Sequence, residues 1–378
     1  MLASPARSSI LPGALAAVLL ASACQAPRPM AGVTESGAEL AAATWMEAAN
    51  WQPLQTDAGS SLRGICVVDA DVVWASGTGG RWLRTLDGGR TWSRGHVAEA
   101  KHLDFRDVHA IDADTAWLMA AGPGDASGIW RTEDGGASWK LHWRNPQAEG
   151  FYDGMAFWDD DNGLLFGDPV DGEFQVMRTA DGGRRWAPAP APAMPRALEG
   201  EHAFAASGTG IAVWSGERAW FVTGGSVSRV FRSDDRGASW TAAENPLGQG
   251  LPGAGAFSVA FRDAHNGVVV GGNYERPDSA HATAAWTDDG GRTWHAVPTE
   301  QSPRGYRSAV AFLPGTSIVV AVGTSGSDWS ADGGRTWRPL GARGFHAVAF
   351  APAHGTGAPL AFAVGGEGSA GRLEPARQ

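Results

Sequence analysis

The sequence predicts an all-β fold, a seven-bladed β-propeller closed by an N-terminal strand in its last blade. Three observations predict it. First, one eight-residue pattern recurs six times: TLDGGRTW (85–92), TEDGGASW (132–139), TADGGRRW (179–186), SDDRGASW (233–240), TDDGGRTW (287–294) and SADGGRTW (330–337). Second, the tryptophans ending these copies are spaced by 47, 47, 54, 54 and 43 residues, close to the roughly 40–50 residues of a four-stranded blade. Third, WQPL (51–54), ahead of the first unit, is echoed by WRPL (337–340) after the sixth copy.

Each position of the repeated pattern has a physical role. It lies between apolar, β-branched and aromatic runs, so it reads as a turn joining two antiparallel strands. Its Asp accepts hydrogen bonds from backbone N–H groups of its own turn. Its Gly supplies a positive φ that other residues resist, and its Ser/Thr hydroxyl adds a local bond to the backbone. The Trp opens the next strand and buries a large ring. The pattern Ser/Thr-x-Asp-x-Gly-x-x-Trp resembles the Asp-box, or BNR repeat, of many β-propellers. Asp87, Asp134, Asp181, Asp235, Asp289 and Asp332 are therefore read as structural, because a carboxylate committed to its own turn is a poor general acid or base.

Units begin near residues 61, 103, 152, 202, 254, 305 and 344, and the seventh carries no box. The WQPL segment is an outer strand without a blade of its own, and the seventh unit lacks an outer strand. Pairing the two closes the ring and removes its open sheet edges. The competing arrangement is a six-bladed ring with the last unit as an appendage. The propeller is placed at residues 44–376. Six of the 18 Trp belong to the boxes, and most of the rest, among them Trp74, Trp117 and Trp220, fall in strand patterns and are read as core. No long helical periodicity is read in the chain after its leader.

Residues 1–23 read as an export signal. Arg7 gives the positive start, and residues 10–23 are an apolar stretch too short to span a bilayer as a mature helix. Ala21-Ser22-Ala23 is an A-x-A cleavage site, and LLASAC (19–24) also resembles a bacterial lipobox, with Ala21 where Leu is usual. On that reading Cys24 is lipidated and residues 24–43 are a flexible tether. The expected location is the periplasmic side of a bacterial envelope, on the outer membrane through the lipid anchor only; a soluble periplasmic or secreted protein is the alternative. Cys66 is then unpaired and reads as a small buried hydrophobe.

The formal net charge of −10 argues against nucleic acid as a partner, since that affinity rests on phosphate neutralisation. No cofactor is implied. The ten His show no metal-ligand spacing, and Asp159-Asp160-Asp161-Asn162-Gly163 departs from the EF-hand register. It reads as a strand-connecting turn, and no metal site is assigned.

Two function classes remain. Asp-boxes also occur on sialidases, but no R-I-P segment is present and the three Tyr give no clear nucleophile pair. Other glycosidases need two carboxylates across a cleft; Asp153, Asp160, Glu201 and Glu275 are the candidates for a hydrolase. The repeated block V-x-F, D-x-x-x-G/A, a glycine pair and R-T-x-D-G-G-x-x-W, seen as VAFRDAHNGVVVGG (259–272) leading to TDDGGRTW, resembles the photosystem II stability/assembly factor family. These are seven-bladed propellers of chloroplasts and cyanobacteria with relatives in non-photosynthetic bacteria, and this chain reads as one of the latter. The resemblance implies a non-catalytic scaffold that binds a protein partner in the envelope; a glycan is the alternative partner. No catalytic residue is assigned.

Aligning the innermost strands gives candidate ligand-binding residues. Arg63 and Arg106 lie two residues before the V-x-F column, while Arg307 and Tyr152 lie three before it. Three guanidiniums at one height would make a carboxylate site. The one-residue offset of Arg307 counts against this, because it flips a side chain to the other face. Tyr274 and Glu275 lie in the longest inter-strand insertion, NYERPDSAHA (273–282), a loop suited to recognition.

Overall fold

The computed structural model describes residues 35–189, 194–352 and 359–375. The signal, the lipobox and Cys24 lie outside the described residues. Seven sheets, each built on a four-stranded antiparallel blade, span residues 62–96, 105–144, 152–188, 211–244, 254–296, 309–341 and 347–375. The innermost strand of each blade touches that of the next, and Ala347–Phe350 of the seventh returns to Leu62–Val67 of the first. The ring is therefore seven-bladed.

Closure is as the WQPL echo predicts. Ala49–Leu54 pairs residue for residue with Ala370–Pro375, from Ala49↔Pro375 to Leu54↔Ala370, and becomes the outer strand of blade seven. Trp51 locks it in place. Its ring meets Phe345 at 5.0 Å, and its Nε1 donates to Ser327 Oγ at 2.9 Å.

The box turns behave as their chemistry dictates. In the first, Asp87 Oδ1 accepts from Thr91 N at 2.9 Å, Asp87 Oδ2 accepts from the Thr91 hydroxyl at 2.7 Å, and Thr85 Oγ1 accepts from Gly89 N at 2.9 Å. The hydroxyl and N–H of Thr91 hold the Asp87 carboxyl down at about 2. The box glycine has a second role. Gly136 has φ +88° and lies so close to blade one that an added Cβ would sit 2.6 Å from the Trp82 ring. Each turn thus seats on the blade before it. Conversely, Trp117 and Trp220 donate Nε1 hydrogen bonds to the box carbonyls of Gly182 and Gly290, at 3.0 and 2.9 Å, in the blades that follow.

Three expectations are corrected. A helix, Glu35–Ala48, begins inside the segment read as tether. It buries Ala42 and Met46 against Leu313, Ile318 and Trp329, which supplies the apolar partners that its weak periodicity does not announce. Glu39 Oε1 accepts from Ser317 N at 2.8 Å, so the helix sits at the far end of the blade-six strand that begins near Ser308. Unit four does not begin at residue 202. Its innermost strand is Ile211–Trp214, and Glu201–His202 pairs instead with Gly224–Gly225, extending the sheet of blade five. Finally, Cys66 is buried but disulfide-bonded; it is not an unpaired thiol, and its partner sulfur lies outside the described residues.

Because the outer strand of blade seven comes from the other end of the chain, removing residues 49–54 should expose the edge of Ala370–Pro375. We expect a melting temperature lower by ten degrees or more, on the order of several kcal/mol of lost strand pairing and Trp51 burial, with increased aggregation. An unchanged melting curve would mean the ring closes without this strand.

Candidate functional site at the channel mouth

The innermost strands begin with a shared backbone irregularity. The register shifts between Leu62 and Gly64, Phe105 and Asp107, Tyr152 and Gly154, and Ala256 and Ser258. The residue before each shift turns into the blade and is buried: Leu62, Phe105, Tyr152 and Ala256 are at most 2 % exposed. The bulged residues are Arg63, Arg106, Asp153 and Phe257. Blade six follows suit. Gly323 crowds Arg307 as Gly77 crowds Leu62, with a Cβ on either meeting the Cα of that residue at 3.0–3.1 Å. Arg307 is therefore the pre-bulge residue, and Ser308 takes the bulged place. In blade seven, Gly365 meets Phe345 in the same way, and His346 follows.

This offset decides which predicted residues meet. Arg307 does not join the mouth. It is 2 % exposed, with Nε 2.7 Å and Nη2 2.5 Å from Asp328 Oδ2, and its Nη1 donates to Tyr306 O. Tyr152 is 2 % exposed and packs edge-on against Trp143 at 4.9 Å; burial pushes its hydroxyl up to about 12. Both are corrected from ligand contacts to core residues. Glu275 is exposed on its loop, and Tyr274 is 50 % exposed beside the mouth.

Arg63 and Arg106 do meet. Burial and the neighbouring Arg106 charge both hold the Arg63 guanidinium below its usual range, with Asp104 and Tyr306 opposing. Arg106 is bonded to Asp104 Oδ2 at 2.5 Å and donates to Ala205 O at 2.7 Å. Arg63 forms no hydrogen bond or ion pair among the described residues, and its buried Nε has no partner. Burial, then Arg63 and Arg106, push the His346 imidazole down to about 4, so it is neutral at physiological pH. Burial and the neighbouring Asp168 drive the Asp153 carboxyl well above its usual range, against a backbone N–H and Arg106. The mouth therefore carries two guanidiniums, of which Arg106 is paired with the Asp104 carboxylate.

The segment leading into blade four crosses this space. Ala205 O receives Arg106 of blade two, and Ser207 Oγ donates to Ser308 O of blade six at 2.8 Å. Phe204 stacks on Phe257 of blade five at 3.8 Å. That crossing is why unit four does not align with the others.

The hydrolase candidates do not assemble. Glu201 is fully buried and clamped by Arg229 at 2.9 and 2.5 Å. Asp160 is exposed in the turn at the opposite end of the strand carrying Asp153. Asp159 Oδ1 accepts from Asp161 N and Asn162 N, confirming a turn in that acidic run.

Asp153, His346, Tyr306, Phe204, Phe257 and Ser308 are mouth residues that the sequence did not mark as ligand contacts. A signal for the bulge was present: the glycine in the second strand of several blades, such as Gly77 and Gly323, where a Cβ would lie 2.2 and 2.0 Å from a carbonyl oxygen of the innermost strand.

No family model matches the sequence, and no curated protein matches it. Solved structures do share the fold. The structure of YCF48 bound to D1 peptide matches with a TM-score of 0.60 and 16% identity over 87% of this chain and 97% of that one. YCF48 from Cyanidioschyzon merolae matches with a TM-score of 0.60 and 18% identity over 87% and 100%. The GH74 xyloglucanase from Xanthomonas campestris matches with a TM-score of 0.56 and 20% identity over 85% of this chain, but only 53% of that chain. These likenesses establish the class, a seven-bladed propeller.

The two arginines at different register should respond differently to truncation. Arg307→Ala strands the buried Asp328 carboxylate and should cost about 3–5 kcal/mol, read as a large fall in melting temperature. Arg63→Ala removes no hydrogen bond and should leave melting within about 0.5 kcal/mol of wild type. Equal losses in the two variants would contradict the assigned register.

Proposed function

We propose that this chain is a non-catalytic, protein-binding scaffold whose channel mouth engages a carboxylate on a partner segment. The observation that carries this reading is Arg63, a partly buried guanidinium whose Nε has no partner among the described residues, in a chain of net charge −10. A fixed fork of donors is matched by a carboxylate. The fold it shares with YCF48, seen bound to a D1 peptide, supports a peptide as ligand, as does the resemblance of the repeats to the assembly factors.

A glycoside hydrolase is the second reading, favoured by the fold shared with the xyloglucanase and by the neighbouring Asp153 and Asp168 carboxyls. Against it, Glu201 is committed to Arg229 and Asp160 lies at the opposite end of the strand carrying Asp153.

The leader and lipobox support export and a lipid anchor on the periplasmic side of an envelope. The chain has two cysteines, and a sulfur carrying a lipid cannot also bond Cys66. Intact mass without reductant separates the two fates.

The test uses the full chain expressed in its envelope. Arg63→Ala should weaken capture of the partner while preserving melting, Arg63→Ala with Arg106→Ala should abolish capture, and Cys24→Ser should release the protein from membranes. Undiminished capture by the double arginine variant would overturn the mouth as the binding site. Release of reducing sugar from a glycan by wild type, lost in Asp153→Asn, would favour the hydrolase.

A further inference from the structure

The mouth is chemically two-sided. Arg63, Arg106 and His346, from blades one, two and seven, form a polar side: the Arg106 charge is felt at Arg63, and both guanidiniums are felt at His346. The other side is aromatic. Phe204 stacks on Phe257 with 14° between their planes. Tyr274 meets both edge-on, at 6.4 and 6.2 Å, and His202 closes on Phe204 at 4.8 Å. Phe204 is held in position by the backbone of blades four and five, where a Cβ on Gly224 would lie 2.5 Å from its ring. Phe257 is buried, Phe204 is half-buried and Tyr274 is 50 % exposed, so the corner presents ring surface to solvent.

Tyr306 joins the two sides. Its ring meets Phe257 edge-on at 4.8 Å. Its hydroxyl lies within the fields of Arg63, Arg106 and Tyr274. Arg106 donates to Ala205 O, the carbonyl of the residue after Phe204, so the guanidinium side and the aromatic corner adjoin in the mouth.

We propose that the Phe204–Phe257–Tyr274 corner is a side-chain subsite that selects an aromatic or branched aliphatic side chain next to the carboxylate held by Arg63. This rests on the proposed carboxylate-binding role of the mouth and adds its specificity. A cationic side chain is disfavoured there, despite the rings, by repulsion from Arg63 and Arg106. An apolar one gains contact area and stacking geometry. The occupant is a peptide segment bearing a carboxylate beside a large apolar side chain; the carboxylate is either a chain terminus or an acidic side chain.

The experiment titrates the full-length protein with N-acetylated pentapeptides Gly-Ser-Gly-Ala-X, where X is Phe, Leu, Ala or Lys, each as free acid and as carboxamide. A third set carries an internal Asp-Phe pair with an amidated end. Binding is read by calorimetry. Burying one such side chain should make the Phe and Leu free acids bind about tenfold or more tighter than the Ala acid. Tyr274→Ala, on an exposed loop, should reduce that ratio to about threefold or less, and Phe204→Leu should lower the Phe preference while sparing the fold. Arg63→Ala should instead erase the difference between acid and carboxamide. If only the internal Asp-Phe set binds, with the same Tyr274 dependence, the carboxylate is a side chain and the subsite stands. Equal affinity for Phe and Ala acids, or a ratio untouched by both aromatic variants, overturns this inference while leaving the carboxylate site intact. No saturable binding by any peptide overturns both.

Discussion

The innermost strands of six blades, all but blade four, make the same backbone step, and the rest of the molecule is arranged around it. One residue turns into the space between blades and the next turns towards the channel. The inward set, Leu62, Phe105, Tyr152, Ala256, Arg307 and Phe345, is buried without exception. The channel set, Arg63, Arg106, Asp153, Phe257, Ser308 and His346, is chemically mixed and supplies the mouth. The step is possible because the facing second strand carries a small residue there, usually glycine, and a side chain would strike the innermost backbone.

The opposite face of the ring is committed to holding the blades together. Box carboxylates are spent on their own turns, box glycines seat against the preceding blade, and the helix Glu35–Ala48 packs beside the same end of blade six. This division has a physical basis. A turn whose Asp accepts two or three local hydrogen bonds gains rigidity and loses availability for chemistry. The mouth, whose loops are freer, can place groups at a cost in local comfort. Arg63 with a buried unpartnered nitrogen is the clearest instance.

Much of the architecture was legible in the sequence. Six boxes at blade spacing specify the repeat, and the WQPL echo specifies closure because it supplies the outer edge that Ala370–Pro375, paired on its other side with Ala361–Val364, would otherwise leave open. The site was less legible. Arg63 and Arg106 were found by their distance from an apolar column, and the same count raised the objection to Arg307 that its burial with Asp328 bears out. Asp153 and His346 escaped notice as ligand contacts because they stand next to more conspicuous neighbours, Tyr152 and Phe345. Phe204 escaped because blade four begins late, and no local pattern encodes a segment whose bonds reach blades two, five and six. The helix escaped for a similar reason: its stability comes from Leu313, Ile318 and Trp329, nearly 300 residues away in sequence.

The account rests on the register of the innermost strands, and the unmodified protein reports it directly. Native-state labelling with an arginine-specific reagent such as phenylglyoxal, read by peptide mass spectrometry, compares Arg63 and Arg106 with Arg307 in one sample. The account predicts that the first two are modified in the folded protein while Arg307, 2 % exposed and paired with Asp328, is protected until the propeller unfolds. Modification of Arg307 at the rate of Arg63 under native conditions would contradict it.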